Sequence, residues 1–70
     1  MEQSFGELIK SLRKENDDMT LKELADKAKM SFVEISHIEK GKHKPRPSTI
    51  RKLALALNYS YSKLYDASKK

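Results

Sequence analysis

Residues 20–41, TLKELADKAKMSFVEISHIEKG, constrain the fold more than any other part of this 70-residue chain. Leu24, Ala25 and Ala28 share one helical face by their i, i+1, i+4 spacing, and Ile35 and Ile38 are i, i+3 on a following helix. Met30 falls in the turn between them. Ala25 is small where the two helices would cross most closely. Gly41 follows the second helix as a left-handed terminating residue. The stretch therefore predicts two short helices, over 21–28 and 32–40, joined by a tight turn.

The flanking sequence is helical as well. Ser4, Thr20 and Ser31 each stand three residues before a glutamate, Glu7, Glu23 and Glu34. This is the capping-box pattern, in which the first side chain accepts from the N3 amide and the glutamate reaches back to the cap amide. A first helix is expected over 5–14, with Phe5, Leu8, Ile9 and Leu12 as its buried stripe. Asn16-Asp17-Asp18 ends it. Residues 41–47 read as a loop, because Pro45 and Pro47 exclude a continuous helix there. A fourth helix begins near Ser48 and buries Ile50, Leu53, Ala54 and Leu57, with Asn58 as a left-handed cap. Ser60 or Ser62 begins a short fifth helix carrying Leu64 and Tyr65, and the Ser-Lys-Lys tail is expected to fray. The expected fold is all-α, a compact five-helix domain spanning residues 1–70 with its core at about 5–65.

Several function classes are disfavoured by composition. Seventy residues make one small domain in which every helix must contribute to a marginal core. There is no cysteine, which fits a reducing cytoplasm and removes disulfides and thiolate metal sites. No apolar run approaches the roughly 18 residues of a membrane span. The start, MEQSFGELIK, lacks the basic beginning and apolar centre of a secretion signal. No nucleophile–base–orienter set, paired carboxylates in a cleft or glycine-rich phosphate loop is present, so an enzyme is not expected. His37 and His43 lack the spacing or acidic and thiol company of a metal site, and neither metal nor cofactor is expected.

Charge is divided along the chain. Residues 1–39 hold six Lys/Arg and nine Asp/Glu, a net of −3, while residues 40–70 hold nine Lys/Arg and one Asp, a net of +8. Lys40, Lys42, Lys44 and Arg46 fall within seven positions directly after the second helix of the central pair. Two helices joined by a tight turn are the layout of a helix-turn-helix, whose second helix can enter the DNA major groove. A basic loop at its end is where phosphates are met.

Taken together, Leu12-Arg13, Thr20 to Ala25, Ser31, Ile35-Ser36, Ile38-Glu39, Gly41-Lys42, Pro45, Leu53-Ala54, Ala56-Leu57 and Leu64 carry a family resemblance. From about Phe5 to Tyr65 the chain resembles the Cro/C1-type (XRE-like) helix-turn-helix family, which includes the lambdoid phage repressors. The resemblance implies a five-helix domain that binds double-stranded DNA operators, often as a homodimer. It also implies an ion pair between Arg13 and Glu39. Three positions depart from the family. Lys29 stands in the turn where glycine is usual, Asn16-Asp17-Asp18 replaces a glycine turn, and Leu21 replaces a glutamine that supports a DNA contact.

With Ile35 and Ile38 facing the core, Phe32, Val33, Glu34, Ser36, His37 and Lys40 remain on the outer side. By the resemblance, Phe32, Val33 and His37 occupy base-reading positions. Phe32 and Val33 can meet thymine methyls, although Phe32 can instead pack against the preceding helix. Ser36 can reach a base edge or a phosphate, or bond the carbonyl four residues back, and His37 can donate to guanine or to a phosphate. Glu34 can accept from cytosine N4, but the capping box also claims it. Lys40, Lys42, Lys44 and Arg46 are candidate phosphate contacts, which position without specifying sequence. The amides around Thr20 and Lys22, at a helix N-terminus, form another anion site. Tyr59, Tyr61 and Tyr65 read as core or dimer contacts. The expected function is a cytoplasmic, sequence-specific transcriptional regulator that represses by occupying its operator. The alternative is a protein-interaction module reusing the fold, such as a bridging factor or an antitoxin-type partner binder.

Overall fold

The computed structural model describes residues 4–69. Residues 1–3, part of the start read above for signal character, and Lys70 of the tail lie outside the described residues. Five helices follow in order: α1 Phe5–Glu15, α2 Leu21–Ala28, α3 Phe32–Glu39, α4 Pro47–Leu57 and α5 Tyr61–Ser68. The all-α expectation holds, with no strand among the described residues. No helix among them is long and apolar enough to cross a membrane.

Local chemistry sets the boundaries. Ser4 and Thr20 close full capping boxes with Glu7 and Glu23. The Ser31 box is only half formed: Ser31 Oγ accepts from the Glu34 N–H at 3.0 Å, and the Glu34 carboxylate does not return. Pro47 is not part of the loop as expected. It is the first residue of α4, where a fixed φ suits the helix and no N–H is needed, and Arg46 is the N-cap. Ser60 is the cap of α5, accepting from the Lys63 N–H. α5 continues through Ser68, whose hydroxyl donates to the Tyr65 carbonyl at 2.6 Å, so the first residue of the tail expected to fray is helical.

Ile9, Leu24, Ala25, Ala28, Ile35, Ile50, Leu53, Ala54, Leu57 and Leu64 meet in one core, joined by Met19, which the helical periodicities did not single out. Phe5, Leu8, Leu12, Tyr59, Tyr61 and Tyr65 pack half-buried around it. α4 packs on α2 and α5, α3 packs on α1 and α2, and α1 also touches α5. This arrangement holds α3 by its Ile35/Ile38 edge and leaves its opposite face to solvent.

Turns between these helices rely on left-handed residues. Lys29 closes α2 at φ 55°, ψ 46°, and the Met30 N–H then reaches the Ala25 carbonyl at 2.9 Å. The family's left-handed turn is thus kept with lysine in place of glycine. A side chain there costs about 1 kcal/mol relative to glycine. Lys29→Gly should therefore raise stability by several tenths to about one kcal/mol, strain relief outweighing the looser unfolded chain. Denaturant midpoints at equal slope measure it, and a lower midpoint for the glycine variant would contradict it. Asp17 and Asp18 are both left-handed as well, at φ 55° and 54°. The preceding Asn16 amide donates to the Leu12 carbonyl at 3.1 Å and to the Leu57 carbonyl at 3.4 Å, which ties this turn to α4.

Candidate nucleic-acid interface

The outer face of α3 is defined by what the core takes away. Ile35 and Ile38 are buried, at 0% and 3% exposure. At about 100° per residue, Val33 and Lys40 lie opposite them, Ser36 and His37 flank to either side, and Phe32 and Glu34 lie at the two edges. Phe32 and Val33 are 50% and 58% exposed, and neither belongs to the half-buried set packed on the core. Large apolar side chains held this far out near the start of a helix leave Phe32 with little of a packing role.

Two open grooves border α3. One, about 620 Å³, is lined by Glu34, Ile38, Lys42, His43, Lys44, Pro45, Arg46, Ser48 and Thr49. Its shape follows from the end of α3. Gly41 takes φ 77°, its N–H donates to the Ile38 carbonyl at 3.1 Å, and the Lys42 N–H donates to the His37 carbonyl at 2.9 Å. These bonds fold the basic loop back beside the helix it follows. The His43 ring meets the His37 ring edge-on, with centroids 4.9 Å apart. Lys42, His43, Lys44 and Arg46 are exposed.

The second groove, about 230 Å³, runs on the other side and is lined by Lys10, Arg13, Leu21, Ser36, Glu39 and Lys40. Here Arg13 Nε donates to Glu39 Oε2 at 2.8 Å and Nη2 to Oε1 at 3.2 Å. Nη1 donates to the Met19 carbonyl at 2.8 Å. The two side chains are 12% and 8% exposed. This fork pins α1 to the end of α3 and to the entry of α2. Lys10, one turn before Arg13, joins the groove, and no spacing set it apart from the other charged residues of α1.

Thr20 is more committed than a bare helix start. Its N–H donates to Glu23 Oε1 at 2.9 Å, and its hydroxyl oxygen accepts from the Glu23 N–H at 3.1 Å. The donated backbone bond from Thr20, ahead of that from its side chain, holds the Glu23 carboxyl below its ordinary value of 4.5. The Thr20 amide is therefore already satisfied by an anion of the chain itself. The exposed Lys22 side chain remains at this helix start.

The predicted residues thus separate into a crest and two flanks. Val33 and Lys40 stand on the crest, Lys40 also lining the second groove; Ser36 falls with Lys10 and Arg13 on that side; His37, Lys42, Lys44 and Arg46 fall on the other. An exposed helix between two cation-lined grooves matches in outline a major groove between two phosphate backbones. Thr20 and Lys22 stand at the start of α2, beside Leu21 of the second groove.

A family model described as Helix-turn-helix matches residues 9–64. The chain is 44% identical over 63 residues to the HTH-type transcriptional repressor RghR of Bacillus subtilis (strain 168), covering 89% of this chain and 46% of that protein. It is 38% identical over 65 residues to the uncharacterized HTH-type transcriptional regulator RghRB of the same organism, covering 91% of this chain and 46% of that one. The chain therefore spans about half the length of these curated relatives. From an exposed α3 held by α1 and α2, and from a match across most of its length, the chain belongs to the XRE-like helix-turn-helix family.

Proposed function

We propose that this chain is a sequence-specific, double-stranded-DNA-binding transcriptional regulator that represses by occupying its operator, with α3 in the major groove. The observation that carries this is the exposed face of α3 set between two grooves lined by cations. Val33, Ser36 and His37, with Phe32 at the edge, read bases. Lys40, Lys42, Lys44 and Arg46 contact phosphates, joined by Thr20 and Lys22 at the start of α2. The relative RghR is a transcriptional repressor, and occupancy needs no further chemistry from a domain of this size. The same reading places the protein in the cytoplasm, without catalysis, as a homodimer on DNA. The 70 residues act as one DNA-binding domain.

Selection of bound sequences from a random DNA pool at fixed salt tests the proposal. A two-fold dimer should enrich an inverted repeat whose half-site centres lie about 34–36 Å apart. Sites without dyad symmetry, bound by one protein in sedimentation, would contradict the dimer. Failure to enrich any sequence would contradict the reading as a whole.

Val33→Gln gives a sharper test of the crest. Its apolar contact with a thymine methyl becomes a donor–acceptor pair suited to adenine, so one position per half-site should change preference by about 1–3 kcal/mol. Folding should be nearly unaffected, since Val33 is 58% exposed. An unchanged selected motif would mean that Val33 does not meet a base.

A further inference from the structure

We propose that Glu34 sets DNA specificity by exclusion: it disfavours every sequence that does not offer a cytosine amino group at the position it faces. This rests on the DNA-binding reading above and adds to it a residue with a negative role.

The starting point is the unfinished capping box. In α1 and α2 the glutamate folds back and accepts the cap N–H, at 3.1 Å for Glu7 and 2.9 Å for Glu23. In α3 the same Ser-x-x-Glu sequence makes only the serine half. The Glu34 backbone N–H is used by Ser31, while its carboxylate has no hydrogen bond or ion pair among the described residues. Glu34 is exposed. The other acid of α3, Glu39, is held by Arg13. Glu34 is thus the uncommitted carboxylate of this helix.

Its position makes that costly on DNA. Glu34 is the third residue of α3, and the N-terminal residues of a recognition helix are those that approach base edges. It lies one turn from His37 and on the wall of the groove formed with Lys42, Lys44 and Arg46. If that groove receives phosphates, a carboxylate on its wall stands within the roughly 8 Å over which charges are felt at physiological salt. The neighbouring lysines attract the backbone and Glu34 opposes it. A buried, unpaired acceptor adds a desolvation cost.

One base offsets that desolvation cost. Guanine offers N7 and O6 acceptors, and thymine offers O4 and a methyl group. Adenine offers an amino donor beside the N7 acceptor, which repels a carboxylate. Cytosine offers the N4 amino donor without that neighbour. Glu34 therefore accepts well from cytosine and penalises the other three. Discrimination that comes from penalising wrong partners, as well as from favouring the right one, is an efficient route to specificity.

Parallel selections with wild type, Glu34→Ala and Glu34→Gln at one salt concentration test this. Affinity for a random-sequence duplex is measured alongside. The wild type should enrich cytosine at one position per half-site. Glu34→Ala should lose that preference, by between about fivefold and a hundredfold, and should bind the random duplex several-fold more tightly. Glu34→Gln should shift the preference toward adenine, which suits an amide. Both variants keep the Ser31 cap, so helical circular dichroism should be unchanged. A wild-type motif retained by both variants, or random-duplex affinity that does not rise, overturns this inference and leaves DNA binding standing. A wild type that enriches nothing overturns both.

Discussion

Raising monovalent salt from about 50 to about 200 mM should weaken binding to the selected DNA site by about 10⁴-fold. Lys40, Lys42, Lys44 and Arg46 are candidate phosphate contacts, and Lys42, Lys44 and Arg46 share one groove wall. Each phosphate neutralised releases condensed counterions, with a log–log slope of about −0.9 per contact. Four contacts on each of two subunits give a slope of about −7. Lys42→Ala removes one contact per subunit and should flatten the slope by about two, weakening specific and random DNA alike. A slope near −2, or a Lys42→Ala protein that loses only specific binding, would show that the loop does not contact the backbone.

Gly6→Ala should destabilise the fold by roughly 1–3 kcal/mol, with the upper end expected because the obstruction is backbone. An alanine in a helix ordinarily gains up to about 1 kcal/mol over glycine, so the sign depends on space. At Gly6 there is none. A Cβ would overlap the Glu39 carbonyl oxygen and stand 2.6 Å from that of Ile38. These atoms belong to the end of α3 and cannot rotate away as a side chain does. Relief requires moving α1 off α3, which also stretches the Arg13–Glu39 fork. Gly41 is the useful contrast. A Cβ there meets nothing within 4 Å, but φ is +77°, so Gly41→Ala should cost about 1 kcal/mol through conformation alone. Denaturant midpoints for the two variants measure this, and a Gly6→Ala protein as stable as wild type would contradict the close crossing.

The helices were legible because periodicity and caps agreed. Leu24, Ala28, Ile35, Leu53 and Leu57 follow helical spacing, and all are buried. Their end residues, Lys29, Gly41 and Asn58, adopt the left-handed conformation. What escaped the sequence depends on approach between elements distant in the chain. Gly6 reads as an ordinary residue inside a capping box until α3 is laid across it. Met19 follows the Asn-Asp-Asp turn and matches no helical stripe, yet it is 5% exposed and its carbonyl accepts from Arg13. The third capping box has the same sequence pattern as the other two, so its open half could not be distinguished by spacing. Lys10 was one of several charged residues on α1 until Ser36 and Lys40 came to lie across a groove from it.

The central claim is that α3 and the basic loop form the surface that reads DNA. Amide chemical shifts of isotope-labelled protein, titrated with the selected duplex and with a scrambled duplex of equal length, test it most directly. Val33, Ser36 and His37 should shift strongly with the selected duplex and weakly with the scrambled one. Lys42 and Lys44 should shift with both, since phosphate contacts are indifferent to sequence. Shifts confined to α5, with α3 unmoved by either duplex, would contradict the account.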